Sequence, residues 1–200
     1  MIIGLSGTLG AGKDTVAQYL TKKGFQHLSL SDFVREEAKK RTIGLDRDSL
    51  RELANDMVKE SGGEILAKIA LSRKKSKNLV LSSIRRIPEI DYLHKRKDFI
   101  LLFVDASIKT RYQRMKKRAR IGDSLMGFKK FKTQEESEMS GKSSQRLDLC
   151  KQKADLFIDN SKDKKYLNKQ IEGALKEIYA QEKKKSGKKR LSSQKGSILS

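Results

Sequence analysis

The sequence predicts a three-layer α/β domain built on a parallel sheet, and three observations support this. Five short apolar runs, Met1–Leu5, Gln26–Leu30, Asn78–Ser82, Asp98–Val104 and Asp155–Ile158, are separated by longer stretches with helical spacing. Most of these runs are continuous rather than alternating, which suits strands buried on both faces. The first run leads directly into a glycine-rich turn and an amphipathic stretch, the strand, turn and helix order of an α/β unit.

The helices follow from their ends and their spacing. Lys13–Lys23 stops at Gly24, a suitable left-handed C-cap. Ser31 can cap a helix to Arg41, and Ser49 with Glu52 forms a capping box for one running to Gly62–Gly63. A further helix spans Glu64 to about Arg73, and Pro88 fits the first turn of Glu89–Arg96. Ser107 can cap a helix reaching Arg118. Leu167, Ile171, Leu175 and Ile178 mark a last helix over Lys164–Ala180.

The chain of 200 residues suggests one domain, and 36% hydrophobic residues suffice to close a core. Cys150 is the single cysteine, which excludes an internal disulfide framework. No uncharged apolar stretch approaches a membrane span, and the N-terminus lacks the pattern of a signal peptide, so a cytoplasmic protein without a membrane partner is expected. The formal net charge of +21 calls for anionic partners without naming them. Residues 181–200 hold seven basic side chains and one acid among Gly and Ser, and read as a disordered basic tail after a domain over 1–180. Nucleic acid is a possible partner of that tail.

The chemistry concentrates in Gly7-Thr8-Leu9-Gly10-Ala11-Gly12-Lys13-Asp14-Thr15. Gly7, four residues, then Gly12-Lys13 is the phosphate-binding-loop spacing in its required setting between strand and helix. Glycines let backbone N–H groups converge on phosphate oxygens, and the helix dipole and Lys13 add positive charge. The loop departs from the usual pattern at Asp14, which stands where Ser or Thr follows the lysine. Asp14 either serves a metal or caps the helix.

These residues resemble the nucleoside monophosphate kinases and dephospho-CoA kinases of the P-loop superfamily, and most of all the archaeal adenylate-kinase-like proteins related to dephospho-CoA kinase. The Gly-Lys-Asp-Thr variant is also similar to that of some deoxynucleotide and phosphomevalonate kinases. The resemblance implies a three-layer P-loop kinase fold with a five-stranded parallel sheet in the order 2-3-1-4-5 and a helical lid and flap. It also implies ATP and Mg²⁺ at Gly7, Gly10, Ala11, Gly12, Lys13, Asp14 and Thr15.

Four further segments carry the likeness. Ser31-Asp32-Phe33-Val34-Arg35 is similar to the run opening the acceptor flap, where Arg35 would clamp a phosphate and Asp32 would orient metal-bound water or act as a base; otherwise it is an exposed helix start. Ser82-Ser83-Ile84-Arg85 aligns with Asp-Gly-x-Arg, so Arg85 keeps the acceptor-phosphate position while Ser82 replaces the Walker B aspartate. Lys109–Arg120 holds seven basic residues and no acid, and the spacing of Arg111, Arg114 and Arg118 resembles a lid helix closing over ATP, although an RNA, lipid or solvent face is equally basic. Asp159-Asn160 resembles the turn beside the adenine, with Asn160 the candidate, or an ordinary turn. His27, His94 and Cys150 have no motif partner and read as packing or surface residues.

The expected activity is ATP-dependent transfer of phosphate to a small phosphorylated acceptor, either a nucleoside or deoxynucleoside monophosphate or dephospho-CoA, by a monomer or small homo-oligomer. Two alternatives stay open: a nucleotide-dependent nucleic-acid-binding protein, and a catalytically degenerate ATP-binding domain.

Overall fold

The computed structural model describes residues 1–118, 127–140 and 145–196, except for the side chains of Arg118 and of 184–196. The elements run β1 (Ile2–Gly7), α1 (Lys13–Lys22), β2 (Gln26–Ser29), α2 (Leu30–Lys40), α3 (Arg47–Ser61), α4 (Ile65–Ser72) and β3 (Leu79–Ser82). There follow α5 (Ile87–His94), β4 (Phe99–Asp105), α6 (Ile108–Arg118), α7 (Phe128–Ser140), α8 (Leu147–Gln152), β5 (Leu156–Asp159) and α9 (Lys164–Gly196). The five strands are parallel in the order β2-β3-β1-β4-β5. The turn after β1 therefore lies at the centre of the sheet, at the C-terminal ends of the strands, where α/β sheets bind ligands.

Alternate residues of each strand feed two cores. On one face Ile2, Leu79, Leu81, Phe99, Leu101 and Phe103 pack with side chains of α2, α3, α4, α5 and α8. On the other, Ile3, Leu5, Val80, Leu102, Val104 and Ile158 pack against α1 and the first part of α9. This is why the strand sequences are continuously apolar.

Helix ends follow local chemistry. Gly24 has φ of +89°, and its N–H reaches the Thr21 carbonyl (3.0 Å) while Phe25 N–H reaches that of Leu20 (3.2 Å), a Schellman ending of α1. Asp46, not Ser49, caps α3: its carboxylate accepts from the N–H groups of Asp48 (3.1 Å) and Ser49 (3.0 Å). Ser31 lies within α2 rather than capping it.

Helices α7 and α8 have no counterpart in the sequence expectation. Their apolar stripes are too thin: the buried residues of α7 are Phe131 and Glu138, and those of α8 are Leu147 and Cys150. Helix α9 continues past Ala180 to Gly196, so no break in secondary structure marks the expected start of the tail, whose Lys, Gln and Arg residues are sound helix formers. The last buried hydrophobic side chain described on α9 is Ile178. Among the described residues no helix is long and apolar enough to cross a membrane.

Candidate active site

The loop between β1 and α1 is shaped by three left-handed glycines, Gly7 (φ +141°), Gly10 (φ +77°) and Gly12 (φ +91°). All three also have no room for a side chain, a Cβ at Gly10 falling 2.6 Å from the Arg111 carbonyl oxygen. A Cβ at Gly7 would lie 2.0 Å from the Val104 carbonyl oxygen, and one at Gly12 would lie 2.2 Å from Asn160 Nδ2. Lys13 Nζ donates to the carbonyls of Gly7 and Thr8, both at 2.7 Å, which holds its charge over the loop. Thr15 and Asp14 stand exposed in the first turn of α1.

The loop is braced from three sides. Thr8 Oγ1 donates to Asp105 Oδ1 at 2.6 Å, at the end of β4. Asn160, after β5, is buried and donates from Nδ2 to the Ala11 carbonyl at 2.7 Å. Arg111 is buried too: its Nε donates to the Ala106 carbonyl (2.7 Å), Nη1 reaches the Leu9 carbonyl (3.4 Å), and Nη2 pairs with Glu135. Arg111 is thus directed at the back of the loop and differs from Arg114, one turn on. Arg114 Nη2 lies 3.5 Å from Asn160 Oδ1 and from the Lys162 carbonyl, while its buried Nη1 has no hydrogen-bond partner among the described residues. An unused guanidinium donor beside a phosphate-shaped loop suits an anion. Arg118 ends α6, its side chain and residues 119–126 lying outside the described residues.

Beside this loop, a cavity of about 660 Å³ opens between α2, α3 and the segment after β3. Leu9 of the loop lines it together with Asp32, Arg35, Arg47, Arg51, Arg85 and Arg86. Leu30, Val34, Leu50, Ala54 and Leu66 supply an apolar wall. Arg35 Nη1 donates to Ser31 Oγ (2.9 Å) and Asp32 Oδ1 (3.0 Å), so Asp32 is tied to Arg35. Arg85 Nη1 donates to Gln145 (3.2 Å) and lies 3.9 Å from Glu138. Arg86 Nη2 donates to Asn55 (2.6 Å).

Strands β2 and β3 carry a further contact. Ser82 is buried, and its hydroxyl shares a hydrogen bond with His27 Nε2 at 2.8 Å. Partial burial lowers the His27 pKa, and the carboxylates of Asp14 and Asp32 pull it back up. His27 therefore has a partner that sequence reasoning missed; in the β2–β3 register His27 sits opposite Val80, two residues from Ser82. Ser83 has φ of +67°, where the family resemblance expects glycine. Among the described residues, no group of three His, Cys, Asp or Glu is placed to hold a metal ion. Asp14 and Asp32 suit an ion held mostly by phosphate oxygens and water, as Mg²⁺ often is.

Glu89 caps α5 from inside the protein, Oε2 accepting from the N–H groups of Arg85 (3.0 Å) and Arg86 (3.2 Å). Burial raises its pKa from 4.5 to about 7, against the pull of those N–H groups and both guanidiniums. A folded-state pKa above the unfolded one means stability that is full below the unfolded value and falls as pH rises through about 7. Glu89→Gln is therefore expected to flatten the decline in Tm between about pH 4.5 and about pH 7, an effect on the order of 3 kcal/mol. Superimposable profiles of wild type and variant would contradict this. Burial likewise pushes the Cys150 thiol up to about 12, so it is inert packing.

A family model described as an AAA domain matches residues 6–129, more than half of the chain. The UPF0200 protein of Pyrobaculum aerophilum is 33% identical over 132 residues, covering 65% of this chain and 72% of that protein. The chain belongs to the UPF0200 family and to that AAA domain family. The UPF0200 protein of Methanocaldococcus jannaschii is 28% identical over 183 residues, 89% of this chain and 90% of that one. Among solved structures, this UPF0200 chain is similar to shikimate kinase from Acinetobacter baumannii in complex with shikimate (18% identity, TM-score 0.59, covering 90% of this chain and 93% of that one). It is also similar to deoxyadenosine kinase from M. mycoides (19% identity, TM-score 0.51, covering 90% and 100%). At such identities the likeness shows the fold, which is that of the P-loop kinases.

Proposed function

We propose that this UPF0200 protein is an ATP-dependent phosphotransferase acting on a small phosphorylated acceptor, a nucleoside or deoxynucleoside monophosphate or dephospho-CoA. The observation that carries it is one cavity lined both by Leu9 of the phosphate loop and by Arg35 and Arg85. Donor and acceptor phosphates placed there would meet in a space of small-molecule size. The apolar wall suits the flat or aliphatic body of such an acceptor.

The glycine loop and Lys13 hold the donor phosphates, and Arg114 and Arg118 meet charge developing on the transferred group. Arg35 and Arg85 hold the acceptor. Asn160, tied to Ala11, stiffens the loop and stands where the donor base would pass. Mg²⁺, when bound, neutralises phosphate charge; Asp14 would hold it directly, with Asp32 and the Ser82 hydroxyl reaching its water. A monophosphate acceptor is already anionic and needs no base, whereas with dephospho-CoA the attacking group is a hydroxyl whose proton Asp32 would take as the O–P bond forms and ADP leaves. If Asp14 compensates for the missing carboxylate at Ser82, Asp14→Ala weakens the apparent Mg²⁺ affinity more than Ser82→Ala. The reverse order would contradict that compensation.

The test is incubation with γ-labelled ATP and Mg²⁺ over all ribo- and deoxyribonucleoside monophosphates and dephospho-CoA. A labelled small product with at least one acceptor is expected; label released only as inorganic phosphate, or retained in ATP, removes the phosphotransferase. The serine at position 82 favours a second reading, an ATP-binding domain without transfer. The unit ending near Ala180 would then carry a basic appendage for nucleic acid, and salt-dependent RNA binding lost on truncation after Ala180 is the result that favours it.

A further inference from the structure

Helix α7 spans the gap between the two halves of the site. Glu135 and Glu138, three residues apart, share one of its faces. Glu135 pairs with Arg111, whose guanidinium also reaches the Leu9 carbonyl of the phosphate loop. Phe131, one turn earlier and buried, packs against Tyr112 of α6 with ring centroids 5.5 Å apart and planes tilted by 54°. The register of α7 is therefore set from the donor side. Glu138 then projects toward the acceptor cavity, with its side chain only 5% exposed. One carboxylate oxygen pairs with Arg47 of α3 and the other lies 3.9 Å from Arg85. Arg47 and Arg85 come from different elements, α3 and the segment after β3, and both line the cavity.

Resting on the phosphotransferase reading, we propose that Arg47 is a third acceptor-phosphate residue and that Glu138 is the positioning residue holding Arg47 and Arg85 together as one clamp. The Arg47 guanidinium meets Glu138 at Nη2 and the Gln134 side-chain oxygen at Nε (2.9 Å) and Nη1 (3.2 Å), so an acceptor phosphate would replace the neutral Gln134 contact while the Glu138 pair stays. A buried carboxylate between two arginines also keeps them at a distance they would not hold alone, since like charges repel. Glu138 thus preorganises two charges from separate elements before the acceptor arrives, and so lowers the ordering cost of binding.

The test is calorimetric titration of the full chain with AMP, CMP, GMP, UMP and dephospho-CoA, together with a separate ATP titration and a melting curve for each variant. For the tightest acceptor, Arg47→Ala and Glu138→Ala are each expected to weaken binding about tenfold or more, as befits hydrogen bonds to charged groups. The double variant is expected to lose little beyond either single one, because the two residues act as a unit. ATP affinity stays within about twofold of wild type, by the independence of distant sites. Arg47→Lys and Glu138→Gln, which preserve charge or shape, should recover part of the acceptor affinity and serve if an alanine variant does not fold. Unchanged acceptor affinity in Arg47→Ala, strictly additive losses, or tighter binding in Glu138→Gln would each overturn the clamp while leaving the phosphotransferase standing. Absence of binding by wild type to every acceptor would overturn both.

Discussion

Replacing Lys13 with alanine is expected to lower kcat/KM for phosphoryl transfer by at least about 10²- to 10³-fold, the scale seen when one aimed donor is lost from a transition state. Lys13 Nζ lies 2.7 Å from two loop carbonyls, so the ammonium is held where β- and γ-phosphates would sit on the glycine loop. The loop itself keeps its shape in the variant, because Gly7, Gly10 and Gly12 and the braces from Thr8, Asn160 and Arg111 do not depend on the lysine. The melting temperature should therefore move little while turnover collapses. Lys13→Arg should not restore it, since a planar fork does not replace a compact point charge inside the loop. A variant retaining more than a tenth of wild-type turnover would contradict the assignment.

Arg85→Ala should raise the acceptor KM on the order of 10²-fold, by removal of a charge-assisted contact of about 1.5–3 kcal/mol, and leave the ATP KM nearly unchanged. The separation follows from geometry. Arg85 lies beside Gln145 and Glu138 at the acceptor cavity, whereas Arg114 stands beside Asn160 at the loop. If Arg85→Ala instead raised the ATP KM, the two regions would have been assigned in the wrong order. Arg85→Lys is expected to recover only part of the loss, because one ammonium cannot span phosphate and carboxylate together.

The central strands and the loop between β1 and α1 were readable from the amino acids because their signals are local. Continuous apolar runs, Gly24 after Lys23 and the glycine spacing before Lys13 each dictate backbone behaviour within a few residues. The sheet order came from family likeness, because the apolar runs say that strands exist and not which are neighbours. What the sequence hid depends on long-range pairing. Glu138 and Glu135 lie in a polar segment without apolar period, so neither helix α7 nor its two ion pairs could be read from spacing. Arg111 and Arg114 belong to one basic run, yet one is buried and reaches the Leu9 carbonyl of the loop while the other lies beside Asn160 and the Lys162 carbonyl. The His27 contact with Ser82 joins residues 55 positions apart, and β2–β3 register alone brings them close. A signal was available for Ser83, whose left-handed backbone matches the glycine expected at its position.

The claim that one cleft holds donor and acceptor phosphates together is tested most directly with a bisubstrate analogue, adenosine joined by a chain of phosphates to the acceptor identified by label transfer. By linking both ends, the analogue should bind about 10²-fold or more tighter than ATP in calorimetry. That advantage should vanish in both Lys13→Ala and Arg85→Ala. An analogue binding no tighter than ATP, and indifferent to Arg85→Ala, would show that the arginine cavity and the phosphate loop do not form one site.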